Sequence, residues 1–281
     1  MWKGFALHDF NDNGLDDLVV TTDGDDLIIL VYDDGTTQTL FTAEDKFKSS
    51  PSVINVNGSH MIMAGSYDDK MHAISSSGEV LFQVETDGNV NSSASFVNID
   101  GQAYAFFGSD DGFIYAVDMN GDALAGWPQE VEEDVDESVS FADLDGDGDP
   151  EAIIGVSGKL YAYHMDGSLY NRFPISYEFS FTSSPVIKDL DLDGDLEITL
   201  GSSGSVVSVD IMEQGSLSYY GIPYWSQGAA NNQRTNFYEI EQVECGFPEG
   251  GDLNCDGYVD VLDIVTTLDA IIDGSELTLY E

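Results

Sequence analysis

The chain runs to 281 residues and carries 53 Asp and Glu against 8 Lys and Arg, a formal net charge of −45 at pH 7. Such a surface repels nucleic acid and anionic lipid, so neither is expected as a direct partner, and no insertion into a membrane is expected. A hydrophobic fraction of 42% supplies a packed core and argues against global disorder; the length suits one large all-β domain with a small appendage. The acidity fits a salty external medium, where a short screening length blunts self-repulsion. No apolar run approaches the roughly 18 residues of a membrane span, and Met1-Trp-Lys-Gly-Phe5 does not lead into the apolar core of a signal peptide. An extracellular or cell-surface location is expected, with an export signal upstream of Met1.

From Phe5 onward the chain repeats. The residues opening acidic or Asn-rich turns, Asp9, Asn55, Asn98, Asp143 and Asp189, are separated by 46, 43, 45 and 46 positions. The glycines ending the next apolar run, Gly65, Gly108, Gly155 and Gly201, are separated by 43, 47 and 46. Each unit reads as a short apolar run, the turn, a second run, a polar break such as Gly108-Ser-Asp-Asp-Gly112, and an alternating strand such as Phe113–Val117. Another turn and a last strand follow, the latter near Pro128 and Pro174 in the third and fourth units. Four short strands rich in Val, Ile, Tyr and Phe at a period of about 45 predict the blades of a β-propeller; a β-sandwich of evenly spaced strands is the alternative. The units lie near 5–48, 49–91, 92–137, 138–182 and 183–237. They make either a five-bladed ring or part of a larger one, and the larger ring is favoured.

Three of the turns carry a calcium-loop pattern: Asp9-Phe-Asn11-Asp-Asn13-Gly14-Leu15-Asp-Asp17, Asp143-Leu-Asp145-Gly-Asp147-Gly148-Asp149-Pro-Glu151 and Asp189-Leu-Asp191-Leu-Asp193-Gly194-Asp195-Leu-Glu197. Oxygen donors on alternate residues converge on one hard cation. The glycine at the sixth position permits the sharp turn, and the seventh residue (Leu15, Asp149, Asp195) offers its backbone carbonyl. Asp17, Glu151 or Glu197 closes the shell. A fourth copy, Asp252-Leu-Asn254-Cys-Asp256-Gly257-Tyr258-Val-Asp260-Val-Leu-Asp263, ends the chain, with Tyr258 at the seventh position and Asp263 at the twelfth. About four Ca²⁺ sites are expected. The four loops hold 18 of the 53 acids, so calcium accounts for only part of the acidity. In the second and third units the same place holds Asn57-Gly58 and Asp100-Gly101, pairs that favour two-residue hairpins. One hairpin is thus closed either by a metal loop or by a short turn, which gives the metal a structural role.

The Asp-x-Asp-x-Asp-Gly-x-x-Glu hairpins, each followed by an apolar strand, resemble the FG-GAP/VCBS propeller repeats over residues 5 to about 237. The resemblance implies an extracellular propeller with calcium in the blade hairpins, used for adhesion or recognition.

After the fifth unit, Ile222-Pro-Tyr224-Trp225 through Asn231-Asn232-Gln233 to Phe237-Tyr238 breaks the repeat. Tyr224 and Trp225 could stack on a sugar whose hydroxyls bond Asn231, Asn232 and Gln233; the plainer reading is a closing segment packed on the last blade. Residues 239–250 read as linker. In the module from Gly251, Val261, Ile264, Val265, Leu268, Ile271 and Ile272 recur at helical spacing, with Gly274 placed as a C-cap. This loop and helix, half of an EF-hand, resembles a dockerin type I repeat over 251–274. The resemblance implies docking to a cohesin-like protein, with Val261 and Leu262 contributing. One such repeat is incomplete, and a second is expected beyond Glu281. Cys245 and Cys255 are read as a disulfide that ties the linker to the last loop, the alternative being two free thiols.

No Gly-x-Ser-x-Gly elbow, P-loop or His-Glu-x-x-His motif is present. His8, His60, His72 and His164 sit singly at strand positions and read as packing or surface residues. The chain is therefore read as a non-catalytic calcium-binding scaffold for a protein or glycan ligand, with a docking tail. The alternative is the accessory region of a secreted hydrolase whose catalytic domain precedes Met1.

Overall fold

The computed structural model describes residues 4–240 except 57, 100, 132, 220, 221, 232 and 233. The predicted linker, the fourth calcium loop, Cys245, Cys255, the helix and the docking residues Val261 and Leu262 lie outside the described residues. Every regular element among those described is a β-strand.

The first unit is the meander β1 (Phe5–His8), β2 (Asp17–Thr21), β3 (Leu27–Val31) and β4 (Thr37–Thr42). The second is β5 (Ser52–Val56), β6 (Ser59–Gly65), β7 (Lys70–Ser75) and β8 (Val80–Glu85). The third is β9 (Ser95–Ile99), β10 (Gln102–Gly108), β11 (Phe113–Asp118) and β12 (Gln129–Glu130). The fourth is β13 (Ser140–Ala142), β14 (Glu151–Val156), β15 (Lys159–Tyr163) and β16 (Ile175–Ser176). The fifth has three strands, β17 (Val186–Lys188), β18 (Asp195–Gly201) and β19 (Val206–Gln214). The expected fourth strand of this unit is replaced: the chain turns into the hairpin β20 (Ser218–Tyr219) and β21 (Ile222–Pro223) and then heads inward.

Alternate side chains of a strand point to opposite faces, and here both faces of the middle sheets are apolar. Val53 of β5 packs with Ala6, Val19 and Ile28 of the first unit, while its neighbour Ile54 packs with Phe96 and Phe106 of the third. Likewise Ile154 joins the core shared with the third unit, and Ile153 the core shared with Ile187, Ile198 and Leu200 of the fifth. The core therefore lies between successive sheets, and burial on both faces is why these strands read as continuous apolar runs.

The repeated glycine marks where the chain on its way to the next unit presses back on the sheet. A β-carbon at Gly65 would stand 2.5 Å from the Val90 carbonyl oxygen, and one at Gly108 2.7 Å from that of Val135. At Gly155 it would meet the Leu200 and Phe181 side chains at 2.7 and 3.0 Å.

The segment after the hairpin does not pack on the fifth unit alone. It runs past the first strands of the units as a common partner, ending as β22 (Phe237–Ile240), which pairs in parallel with β5. The residue two before each turn anchor donates its N–H to this segment in four units. Phe141 bonds the Trp225 carbonyl (2.9 Å), Ile187 that of Ser226 (2.9 Å), Leu7 that of Thr235 (2.9 Å) and Val53 that of Asn236 (2.8 Å). In the third unit the equivalent residue, Phe96, meets the Trp225 ring edge-on at 5.6 Å. Trp225, 1% exposed, and the buried Tyr224 are thus core residues, which removes them as a sugar-stacking platform.

Candidate metal centres

The three acidic loops occupy the first hairpins of units one, four and five. Strand register leaves eight residues between His8 and Asp17 and between Ala142 and Glu151, with Lys188 likewise opposite Glu197. In units two and three Val56 pairs with Ser59 and Ile99 with Gln102, so two residues close each hairpin, the second a glycine at φ 79°.

The three long loops share one backbone. Their fourth residues, Asp12, Gly146 and Leu192, have φ of 57, 74 and 65°, and their sixth, Gly14, Gly148 and Gly194, have 86, 97 and 99°. Glycine takes the latter conformation without steric cost. The ninth residue reaches back to the second in each: the Phe10, Leu144 and Leu190 N–H groups bond the carboxylates of Asp17 (3.0 Å), Glu151 (2.7 Å) and Glu197 (2.5 Å). The first residue binds the turn. Asp9 accepts from Asn13 (3.1 Å) and Gly14 (2.6 Å), Asp143 from Gly146 (2.6 Å) and Gly148 (3.1 Å), and Asp189 from Leu192 (2.6 Å).

In unit four, carboxylate oxygens of Asp143, Asp145 and Glu151 all lie within 4.8 Å of one another. Asp147 falls outside this set, its Oδ1 accepting from the Asp149 N–H at 2.9 Å. In unit five the convergent set is Asp191, Asp193, Asp195 and Glu197. Here Asp195, predicted to offer its carbonyl, contributes a carboxylate, one oxygen of which is buried without a hydrogen-bond partner, while Asp189 stays outside. In unit one, Asn11 and Asn13 turn their side-chain carbonyls to the N–H groups of Asn13 (3.1 Å) and Leu15 (2.8 Å), and Asp17 is fully buried.

The electrostatics suit a hard cation. Burial, with the charges of Asp145, Asp143 and Asp147, pushes Glu151 up to about 8, against the pull of the Leu144 N–H. Burial and Asp147 raise Asp145. The hydrogen bond with Asp193 raises Asp195 to about 6 and holds Asp193 low; burial and Asp193 raise Asp191. Asp9, partly desolvated, is nonetheless held low by the N–H groups of Gly14, Asn13, Asn11 and Asp12. Crowded carboxylates that retain protons are relieved when a divalent ion enters among them. An all-oxygen set of acids, amides and carbonyls fits calcium.

Pattern reading passed over His164. Its Nδ1 lies 2.9 Å from Glu151 Oε1, across the β14–β15 pair, so one carboxylate holds both the loop backbone and an imidazole. Nothing local marked this contact, because strand register brings together residues 13 apart. The end of β19 links the two clusters: Gln214 pairs with Asp195, and a β-carbon at Gly146 would stand 2.6 Å from its carbonyl oxygen.

Residues 143–200 match the family described as FG-GAP-like repeat. No curated protein sequence matches the chain. Among solved structures it is similar to Sqt1 from Saccharomyces cerevisiae (TM-score 0.55, 17% identity, covering 75% of this chain and 58% of that one). It is also similar to the V. cholerae biofilm matrix protein Bap1 (TM-score 0.53, 22% identity, 66% and 30% covered). A third likeness is to BBS1N in its complex with ARL6DN (TM-score 0.52, 11% identity, 75% and 64% covered). The chain thus spans between 30% and 64% of these proteins' lengths, and the likeness is one of fold. Among the described residues no helix is long and apolar enough to cross a membrane. The match to the FG-GAP-like repeat at 143–200, set in successive small antiparallel sheets, makes the described region all-β and propeller-like.

Proposed function

We propose that the chain is a non-catalytic extracellular scaffold whose blade hairpins are held by calcium and whose sheets present surfaces to a protein or glycan ligand. One observation carries this reading: three loops with a common backbone place oxygen donors at the same hairpin of three units, where the other two units need only a two-residue turn. The ion substitutes for a short turn, so its role is to fix the loop. The likeness in fold to a biofilm matrix protein agrees with a scaffold. The tail, from its dockerin resemblance, would bind a cohesin-like partner, and the same resemblance is the basis for the alternative of an accessory region in a secreted hydrolase.

Calorimetric titration of the chelated full chain with calcium tests this reading. About four sites are expected, three from the propeller-like region and one from residues 252–263. One site or none would overturn it. Titration against a cohesin, in calcium and in chelator, tests the tail: calcium-dependent binding is expected.

A further inference from the structure

The third strands of the five units begin at Leu27, Lys70, Phe113, Lys159 and Val206. In units one to four the residues paired with Thr21, Gly65, Gly108 and Gly155, namely Ile28, Met71, Ile114 and Leu160, are fully buried, whereas Val206, paired with Gly201, is 75% exposed. Two residues further on the pattern repeats: Leu30, Ala73, Ala116 and Ala162 are buried, and Ser208 is exposed. In units one to four this face lies against the following sheet, and among the described residues no sheet follows unit five; its edge is open as well. Units one to four have a fourth strand hydrogen-bonded along the third; in unit five, among the described residues, β19 pairs with β18 alone.

Among the described residues β19 therefore has an open edge. It is regular from Val206 to Asp210, about 17 Å of ladder. The register with β18 then slips, with Met212 at φ 59°, and that irregularity ends the template. Val206 (75% exposed) and Met212 (76%) face solvent on one side, and Val207, Val209 and Ile211 form a half-covered apolar row on the other. The charge near this edge is of one sign: Asp210 and Glu213 on the strand, Asp195 beside Asp210, and Glu197 opposite it.

We infer that the outer edge of β19 is an acceptor for an extended basic peptide strand, which completes the fifth sheet as its fourth strand. Backbone pairing supplies the ladder, alternate apolar side chains cover Val207, Val209 and Ile211, and lysine or arginine on the peptide answers Asp210 and Glu213. A second copy of this chain is disfavoured as occupant by its charge of −45. The inference deepens the recognition role proposed above and rests on it.

The test uses the full chain with calcium and a fluorescent heptapeptide of alternating valine and lysine. A copy N-methylated at every residue keeps side chains and charge but cannot donate to a ladder. Binding of the plain peptide is expected to exceed that of the methylated copy by at least about tenfold, the weight of two or three hydrogen bonds. New amide-exchange protection is expected at 206–211. Equal binding of the two peptides, protection confined elsewhere, or protection of 206–211 by self-association of the chain alone would each overturn it. Loops that take calcium beside an edge that takes no peptide would defeat this inference alone; an edge that takes peptide beside loops that take no calcium would defeat only the calcium reading.

Discussion

Glu151 and His164 are joined at 2.9 Å while the other Glu151 oxygen holds the Leu144 N–H at 2.7 Å. The carboxylate that closes the unit-four loop is thus anchored from both sides before any ion arrives. Removing the imidazole leaves Glu151 free to turn, and His164→Ala should weaken calcium binding at this loop by roughly tenfold, as outer partners of metal ligands do. Comparing calorimetric isotherms of the two proteins checks this, with the unit-five site as an internal control.

The raised position of Glu151, about 8 against an ordinary 4.5, gives the pH dependence a definite sign. In chelator the native state keeps this proton after the unfolded chain has lost it. Stability in chelator is therefore greatest below about pH 4.5 with respect to this group and declines as pH rises towards 8. Calcium reverses the trend, because the ion takes the ionised form and displaces the proton. Melts from pH 5 to 8 should show a calcium-induced rise in Tm that grows with pH, and Glu151→Gln should flatten the chelator profile.

Chelation should loosen the sheets at constant pH as well. An ion that binds only the folded state contributes about 1.4 kcal/mol at ten times its Kd, or about 4 kcal/mol for three loops. A fall in Tm of about 10 °C on adding EGTA is expected for a region of this size. An unchanged melt would show that the loops hold their shape without the ion.

The repeated glycines should differ in their tolerance of a methyl group. Gly108→Ala drives a β-carbon against the Val135 backbone and side chain and should cost about 1–3 kcal/mol. Gly201→Ala comes nearest the Ser183 hydroxyl, at 3.3 Å, and should cost well under that. Urea denaturation of both variants in calcium separates the two outcomes.

Trp225→Ala should destabilise by about 3–5 kcal/mol, the cost of emptying a large buried site. Its effect should appear in the melt, because the ring packs on Phe96 and Tyr238 and is closed to solvent.

Much of this architecture was legible because it repeats. The spacing of Asp9, Asn55, Asn98, Asp143 and Asp189 located five first hairpins, and Gly65, Gly108 and Gly155 located the contacts between sheets. Loop positions were legible too, since the acids alternate within nine residues. Which carboxylates converge was less so: Asp147 and Asp189 lie outside their clusters although Asp143, which binds the loop backbone too, lies inside, and Asp195 joins its cluster by side chain. The missing strand of unit five and the His164 contact follow from where the chain goes after β19 and from strand register, neither of which has a local signature. That the segment with Trp225 packs down was readable, but not that it reaches several units, because a segment that leaves the repeat shows no periodicity by which to place its aromatics.

That segment bears on the order in which the molecule is completed. Leu7 and Val53, in strands made well before β22, hand their N–H groups to Thr235 and Asn236, and Asn236 in turn bonds the Phe5 carbonyl across 231 residues. During synthesis the first two sheets therefore wait with open inner edges until the last described strand emerges. Loss of residues 222–240 would strand unpaired donors in the first two sheets, so a nascent or truncated product is exposed to aggregation far from the break.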